Sequence, residues 1–273
     1  MIGQIKCLEN VDKLIAKGFP RFVLITGCEK SGKKILSKEI AKRMGVPIIV
    51  CGIKVEEVRE IISLAYKQGE PVIYLFPNID DMSINAKNAL LKVTEEPPRQ
   101  AYFIITAKDR RNVLPTLLSR SYDLPMDLYS YKDLMEYIDE KGYTMTAEVK
   151  DYVRGLSVSP GDIDMLAEMD ITAFKEFTEL VLANIGVVNG ANALKIGRRF
   201  AYKPEEKGWD IKLFMRAIMN LCLHNLEDFD IRYHKTIQLC GGVITKLSIN
   251  GIDKKTLVDM WILDMRSVWM VEE

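Results

Sequence analysis

Gly27-Cys28-Glu29-Lys30-Ser31-Gly32-Lys33-Lys34 carries the spacing G-x-x-x-x-G-K of a phosphate-binding loop. Its glycines let a backbone curl around phosphate oxygens, a following helix aims amides at them, and Lys33 adds a positive charge. Chance matches to so short a pattern occur, but here an apolar run, Phe22 to Thr26, precedes it and a helical pattern opens after it. Two residues argue against ordinary use of the loop. Where a serine or threonine hydroxyl would bind magnesium stands Lys34, and an ammonium cannot be a metal ligand. It is either a phosphate neutraliser or an exposed lysine of the first helical turn. Glu29 opposes a polyphosphate unless Lys30 or Lys34 compensates it. These residues leave ATP or ADP in the loop an open question and make magnesium doubtful.

The elements that must hold this loop are legible as an alternation. Strands are expected at Phe22 to Thr26, Ile48 to Val50, Val72 to Phe76 and Tyr102 to Thr106, with helices at Ser31 to Met44, Val55 to Gln68 and Asn85 to Glu96. The last helix must stop at Pro97-Pro98, since proline removes an amide donor and restricts its predecessor. This is an α/β domain built on a parallel sheet. From Ser130 on, β-branched runs thin out. Helical patterns follow at Tyr131 to Lys141, Ala147 to Leu156, Gly161 to Met169 and Ala173 to Asn184. After the Gly and Asn rich stretch Gly186 to Ala191, a long amphipathic segment runs from Trp209 to Phe229. The expected division is 1–126, 127–185 and 186–273, the last part all helical.

Composition sets bounds and little more. The 273 residues, 48% of them hydrophobic, suffice for two or three packed domains. Lysine plus arginine and aspartate plus glutamate balance at 38 each, so contact with nucleic acid must come from a local patch. Lys108, Arg110 and Arg111 form one such candidate; a solvated loop is the alternative. Five scattered cysteines, with no C-x-x-C pair, read as reduced and mostly buried thiols, with no zinc set. No apolar run nears the roughly 20 residues that span a bilayer, and no signal core is evident, which points to the cytoplasm and away from a membrane.

Further segments carry a resemblance. Asn88-Ala89-Leu90-Leu91-Lys92-Val93-Thr94-Glu95-Glu96-Pro97-Pro98 resembles the signature helix of AAA+ clamp-loader subunits, and Leu114-Pro115-Thr116-Leu117-Leu118-Ser119-Arg120-Ser121 resembles their serine-arginine-cysteine motif. With Gly3-Gln4 and Ser159-Pro160-Gly161, the similarity runs in order through some 170 residues. It implies an AAA+ domain, a small helical lid and a helical collar through which such subunits form a pentameric ring. It also implies the family's work, opening a sliding clamp and placing it on primer-template DNA.

The resemblance gives the catalytic positions meaning. The family's Asp-Glu pair falls on Pro77 and Asn78, which supply no carboxylate. Asp80 and Asp81 lie just beyond and read better as turn caps. The lid position that usually offers an arginine is Asp162, after Gly161. Thr106 occupies the polar sensor position, or is a strand-capping threonine. Arg120 matches the arginine that acts in trans on a neighbour's ATP. Four cis elements of hydrolysis are therefore changed and one trans element is kept, the pattern of the delta-prime type of subunit. The four-cysteine zinc module frequent in bacterial relatives is missing, suggesting a compact variant such as a phage would encode. Two other readings stay open: a motor ATPase using Asp80 or Asp81, and an assembly module with no nucleotide role.

Overall fold

A computed structural model describes residues 1–201, 208–226, 230–249 and 251–270. Two compact units divide it: residues 1–143 with 158–163, and residues 144–157 with 164–273.

The first unit runs α1 (Ile5–Lys17), β1 (Phe22–Thr26), α2 (Lys33–Met44), β2 (Ile48–Val50), α3 (Val55–Lys67), β3 (Val72–Phe76), α4 (Ile84–Glu95), β4 (Ala101–Ala107), α5 (Pro115–Leu118), β5 (Tyr122–Pro125) and α6 (Tyr131–Lys141). Its five strands are all parallel, in the order β2-β3-β4-β1-β5. The chain leaves β1 and returns three positions away at β2, later filling in β3 and β4 before crossing to β5 on the other side of β1. The crevice beyond the C-terminal ends of β1 and β4 is therefore a topological switch point, where open α/β sheets bind ligands. The segment after β1 is the phosphate-loop sequence.

Central strands buried on both faces need apolar residues at every position, and Phe22–Thr26 and Val72–Phe76 are buried throughout. One face packs under α3, α4 and α5 through Phe22, Leu24, Tyr74, Phe76, Phe103, Val58, Ile62, Leu90 and Leu117. The other packs under α1 and α2 through Val11, Val23, Ile25, Leu36, Ile40 and Ile104. Phe103 is the hub of the first face. Its ring stacks on Phe22 at 6.2 Å and on Tyr74 at 5.5 Å between centroids.

Helix starts follow local chemistry. Ser83 accepts a hydrogen bond from the Ala86 amide to cap α4, and Ser130 with Asp133 forms a capping box on α6. By contrast α2 starts from Gly32, in the left-handed region at φ 89°, with no side-chain cap.

Among its described residues the second unit is helical apart from a two-residue parallel ladder, β6 (Phe200–Ala201) with β7 (Trp209–Asp210). Its helices are α7 (Ala147–Leu156), α8 (Pro160–Ala167, whose first residues belong to the first unit), α9 (Ile171–Asn184), α10 (Gly190–Ala193), α11 (Ile211–His224), α12 (Ile231–Lys246) and α13 (Lys254–Trp269). Buried Phe214 of α11 gathers Phe174, Phe177, Phe200 and Trp261 around it. The expected helix from Trp209 begins two residues later because Trp209 and Asp210 pair as a strand and Asp210 caps α11. Its expected end, Phe229, lies outside the described residues. No helix among the described residues is long and apolar enough to cross a membrane.

Removing the hub of the sheet should be costly. Phe103→Ala deletes a fully buried ring and should lower the unfolding free energy by about 3–5 kcal/mol, read as an earlier midpoint in urea denaturation followed by circular dichroism.

Candidate functional site

The loop between β1 and α2 closes on itself. Lys33 is only 7% exposed, and its Nζ donates to the carbonyl oxygens of Gly27 at 2.7 Å and Cys28 at 2.6 Å. Two of the three ammonium protons are thus spent on the loop that carries them. Burial lowers the Lys33 pKa below the ordinary lysine value, opposed by the negative charges of Asp80 and Glu29 and the nearby Cys28. The curl needs left-handed backbone at Gly32 and, less comfortably, at Lys30 with φ 57°. The Gly27 amide bonds back to the Ala107 carbonyl at the end of β4.

Every charged residue of the loop except exposed Lys34 meets a partner from elsewhere in the first unit or, for Lys33, from the loop itself. Glu29 pairs with Lys108 at 2.8 Å, a partner additional to the Lys30 and Lys34 considered from the sequence. A partner 79 positions away has no local signature. Burial works against the Lys108 ammonium, but the Glu29 bond, helped by Asp81 and Asp80, outweighs it and holds the Lys108 pKa above its usual value. Lys30 faces the buried carboxylate of Asp162 at 3.8 Å, and its carbonyl accepts from the Gly161 amide. Asp162 also accepts from the Val158 amide, and the Cys28 thiol lies against the Val158 carbonyl. The segment Val158–Ile163 therefore lies over the loop and sets the Asp162 carboxylate toward Lys30. Ser31 is buried, its Oγ toward Met126 and its carbonyl taking the hydroxyl of Tyr129.

The end of β3 holds no free carboxylate of the kind hydrolysis requires. Asn78 sits in the left-handed region at φ 53°, and its amide donates to Thr106 Oγ1 at 2.9 Å, so Thr106 serves here as a tie between β3 and β4. Asp80, 2% exposed, accepts from the Lys108 amide through one oxygen and from Asn112 Nδ2 through the other, both at 2.8 Å. Among the described residues, no three His, Cys, Asp or Glu side chains gather as a metal site. Lys34 and Pro77, the residues that the resemblance sets at the magnesium positions, offer neither a hydroxyl nor a carboxylate, so the residues present do not fit a bound magnesium ion.

Arg120 follows α5. Its guanidinium donates to the Thr116 carbonyl and pairs with Glu95 at the end of α4 at 3.2 Å, with 39% of the side chain exposed. The proposed nucleic-acid cluster is brought near the loop, but each member has a carboxylate: Lys108 has Glu29, Arg110 has Asp123 at 3.0 Å, and Arg111 has Asp109 at 2.6 Å.

Gly161 is where the cover meets the loop. A Cβ there would lie 2.6 Å from Lys30 Cβ and 3.1 Å from the Lys30 carbonyl oxygen. Gly161→Ala should cost about 1–3 kcal/mol as an overpacked contact. Gly69→Ala, with nothing within 4 Å, should stay within about 0.5 kcal/mol of wild type; equal midpoints for the two variants in urea denaturation would contradict the tight seat.

Comparison with known proteins agrees with this geometry. Residues 5–128 match the family described as DNA polymerase III, delta subunit. The DNA polymerase III subunit gamma of Buchnera aphidicola (Schizaphis graminum) is 29% identical over 138 residues, 47% of this chain and 37% of that protein. The delta-prime subunit of Yersinia pestis is 37% identical over 73 residues, 26% of this chain and 22% of that protein. The chain thus spans well under half the length of these curated relatives. A gamma subunit-related protein of Thermotoga maritima superposes with TM-score 0.56 at 18% identity, over 96% of this chain and 99% of its own. The Thermotoga maritima RuvB branch migration motor gives 0.52 at 18% identity, over 83% and 78%. Both show shared fold. The first unit shares the fold of these structures, and the chain is similar over part of its length to DNA polymerase III gamma and delta-prime subunits.

Proposed function

We propose that the chain is a non-hydrolysing, delta-prime-like subunit of a sliding-clamp loader, which scaffolds the assembly and lends Arg120 to ATP bound by a neighbouring subunit. The observation that carries the reading is Lys33 turned onto the carbonyls of its own loop, next to a β3 end where Asp80 is spent on structure. Residues 127–185 correspond to the lid and 186–273 to the collar that meets the other subunits in a pentameric ring, and the assembly acts on the clamp and on primer-template DNA during replication. A gamma-like motor role through Asp80 is disfavoured, because freeing its oxygens would orphan the Lys108 amide and Asn112. Asp81 is exposed but stands beyond the strand end.

Arg120 suits the trans role. It is held at the surface by an exposed carboxylate, a pairing worth about 0–1 kcal/mol, which a phosphate can displace. A trans arginine typically contributes about 10³ to 10⁵ in rate.

The test is ATPase activity of the isolated chain and of the assembled complex, for wild type, Lys33→Ala and Arg120→Ala. The isolated chain should show no turnover, and Lys33→Ala should leave the complex active. Arg120→Ala should lower turnover at the adjacent site by about 10³-fold or more while assembly, read by gel filtration, is kept. Full activity with Arg120→Ala would remove the finger and leave an assembly module. Magnesium-dependent turnover by the isolated chain, lost in Lys33→Ala, would make it a motor.

A further inference from the structure

The two edges of the parallel sheet are finished differently. Strand β5 lies at one edge and β2 at the other. The Met126 amide bonds to the Thr26 carbonyl of β1, so the even-numbered backbone groups of β5 turn inward and those of Asp123 and Pro125 turn outward. Proline has no amide hydrogen to offer, and Asp123 is charged and paired with Arg110. Proline and charge on an outer strand both keep a sheet from accepting a further strand.

Strand β2 has neither guard. The Pro47 carbonyl accepts from the Ile73 amide and the Cys51 amide donates to the Leu75 carbonyl, which fixes the odd-numbered groups toward β3. The amides and carbonyls of Ile48 and Val50 therefore point out of the sheet, with no hydrogen-bond partner among the described residues. Pro47 stands on the inward-facing register, so its missing hydrogen leaves the outer edge intact. No residue of Ile48–Val50 is charged, and Ile49 and Val50 are each 44% exposed. Ile48 packs into the core under α1 and α2, so alternation sets Ile49 on the opposite face, the one that carries α3.

A strand that completes this edge must bring two amides and two carbonyls two residues apart, with apolar side chains and no charge. Strand β2 itself meets that description. Turned about a two-fold axis through Ile49, a second β2 lies antiparallel to the first: Ile48 exchanges both backbone bonds with Val50 of the second copy, and Val50 with its Ile48. Every outward amide meets an outward carbonyl, so the edge is complementary in charge to its own copy. Ile49 faces its counterpart across the axis as a non-hydrogen-bonded pair, in which side chains approach most closely.

Helix α3 leaves room for this arrangement. It joins β2 to β3 and packs over them through Val58, Ile62 and Ala65. With strands about 4.8 Å apart, two copies would bring their α3 axes to about 10 Å, a helix-packing distance. Arg59, Ser63 and Tyr66 face α4, so the helical period puts half-buried Ile61 and Leu64, 49% exposed, on the side toward the β2 edge. Glu57, on that same side, is held by the Lys54 amide.

We propose that the β2 edge pairs antiparallel with the β2 edge of a second copy of this chain, joining two sheets through Ile48–Val50. Three strand residues and one side of a helix per copy make a small contact, at the weak and transient end of interface sizes. The dimer therefore forms and dissociates with concentration. This inference rests on the sheet edge alone and not on the clamp-loader reading.

The experiment is sedimentation equilibrium of the full chain over a concentration series, with amide hydrogen exchange followed over the same series. Wild type should rise from 31.1 kDa toward twice that mass. The Ile48 and Val50 amides should become slower to exchange as it does, while the Cys51 amide, already bonded to Leu75, stays slow throughout. Val50→Pro removes one outward amide per copy, two of the four bridging bonds, and no bond to β3, so it should weaken the dimer at least about tenfold. Val50→Thr keeps that amide and should dimerise like wild type. Ile49→Lys sets like charges opposite one another on the axis and should also weaken the dimer at least about tenfold. The proposal is overturned if wild type stays at 31.1 kDa throughout, or if Ile48 and Val50 exchange at a rate independent of concentration. Dimers equally strong in Val50→Pro and Ile49→Lys would overturn it too, by placing self-association on another surface.

Discussion

A lysine ammonium that is almost fully buried must be solvated by the protein, and the shape of the loop after β1 answers that requirement. Leaving such a charge without partners would cost several kcal/mol, so the carbonyls of Gly27 and Cys28 turn inward to Lys33 Nζ. Turning them inward sets the rest. Lys30 and Gly32 must enter the left-handed region, α2 cannot start before Lys33, and the Lys30 carbonyl is left facing the Gly161 amide. Hydrogen bonds to charged groups contribute about 1.5–3 kcal/mol each, so an incoming phosphate must offer Lys33 more than the two it already has. The loop keeps the ancestral spacing and uses the lysine to staple itself.

The same conversion runs along the end of the sheet. Groups that in an ATPase stay poised for metal and water are here committed to the backbone: Thr106 to Asn78, Asp80 to Lys108 and Asn112, Asp162 to Val158 and Lys30. Each tie joins segments that follow different strands or come from later in the chain. Buried polar groups left unpaired are costly, so the polar groups beyond the strand ends are stabilised by partners within the protein.

Strands and helices of this domain were legible because their signals are local. The expected strands β1, β2 and β3 match the observed ones residue for residue; β1 and β3 are buried on both faces and so must be apolar throughout, while β2 is a β-branched edge strand. Helices α6 and α7 match at both ends, where Ser130 and Thr146 cap them. Three elements of the first unit escaped, among them the four-residue α5. Helix α1 starts from Gln4 with no side-chain cap, and β5 is four residues long, ends in proline and pairs on one side with β1. The site was legible in its residue types but not in its pairings. Glu29 with Lys108 and Lys30 with Asp162 are contacts between distant segments, and sequence spacing cannot supply them.

How firmly each cation is held separates the two faces of nucleotide chemistry. Lys33 is buried, doubly bonded and surrounded by backbone that has been bent to suit it, so using it on a ligand means dismantling the loop. Arg120 is tied to Glu95 between two exposed side chains, 39% and 58% accessible, an arrangement in which solvent screening leaves little net attraction. Guanidinium binds phosphate through a planar fork of donors, so exchanging an exposed carboxylate for a phosphate costs Arg120 almost nothing, whereas the equivalent exchange at Lys33 costs two charge-assisted bonds. Lys33 is thus committed to its own loop while Arg120 is held only by exposed contacts, a difference that lies in the strength of contacts within this one chain.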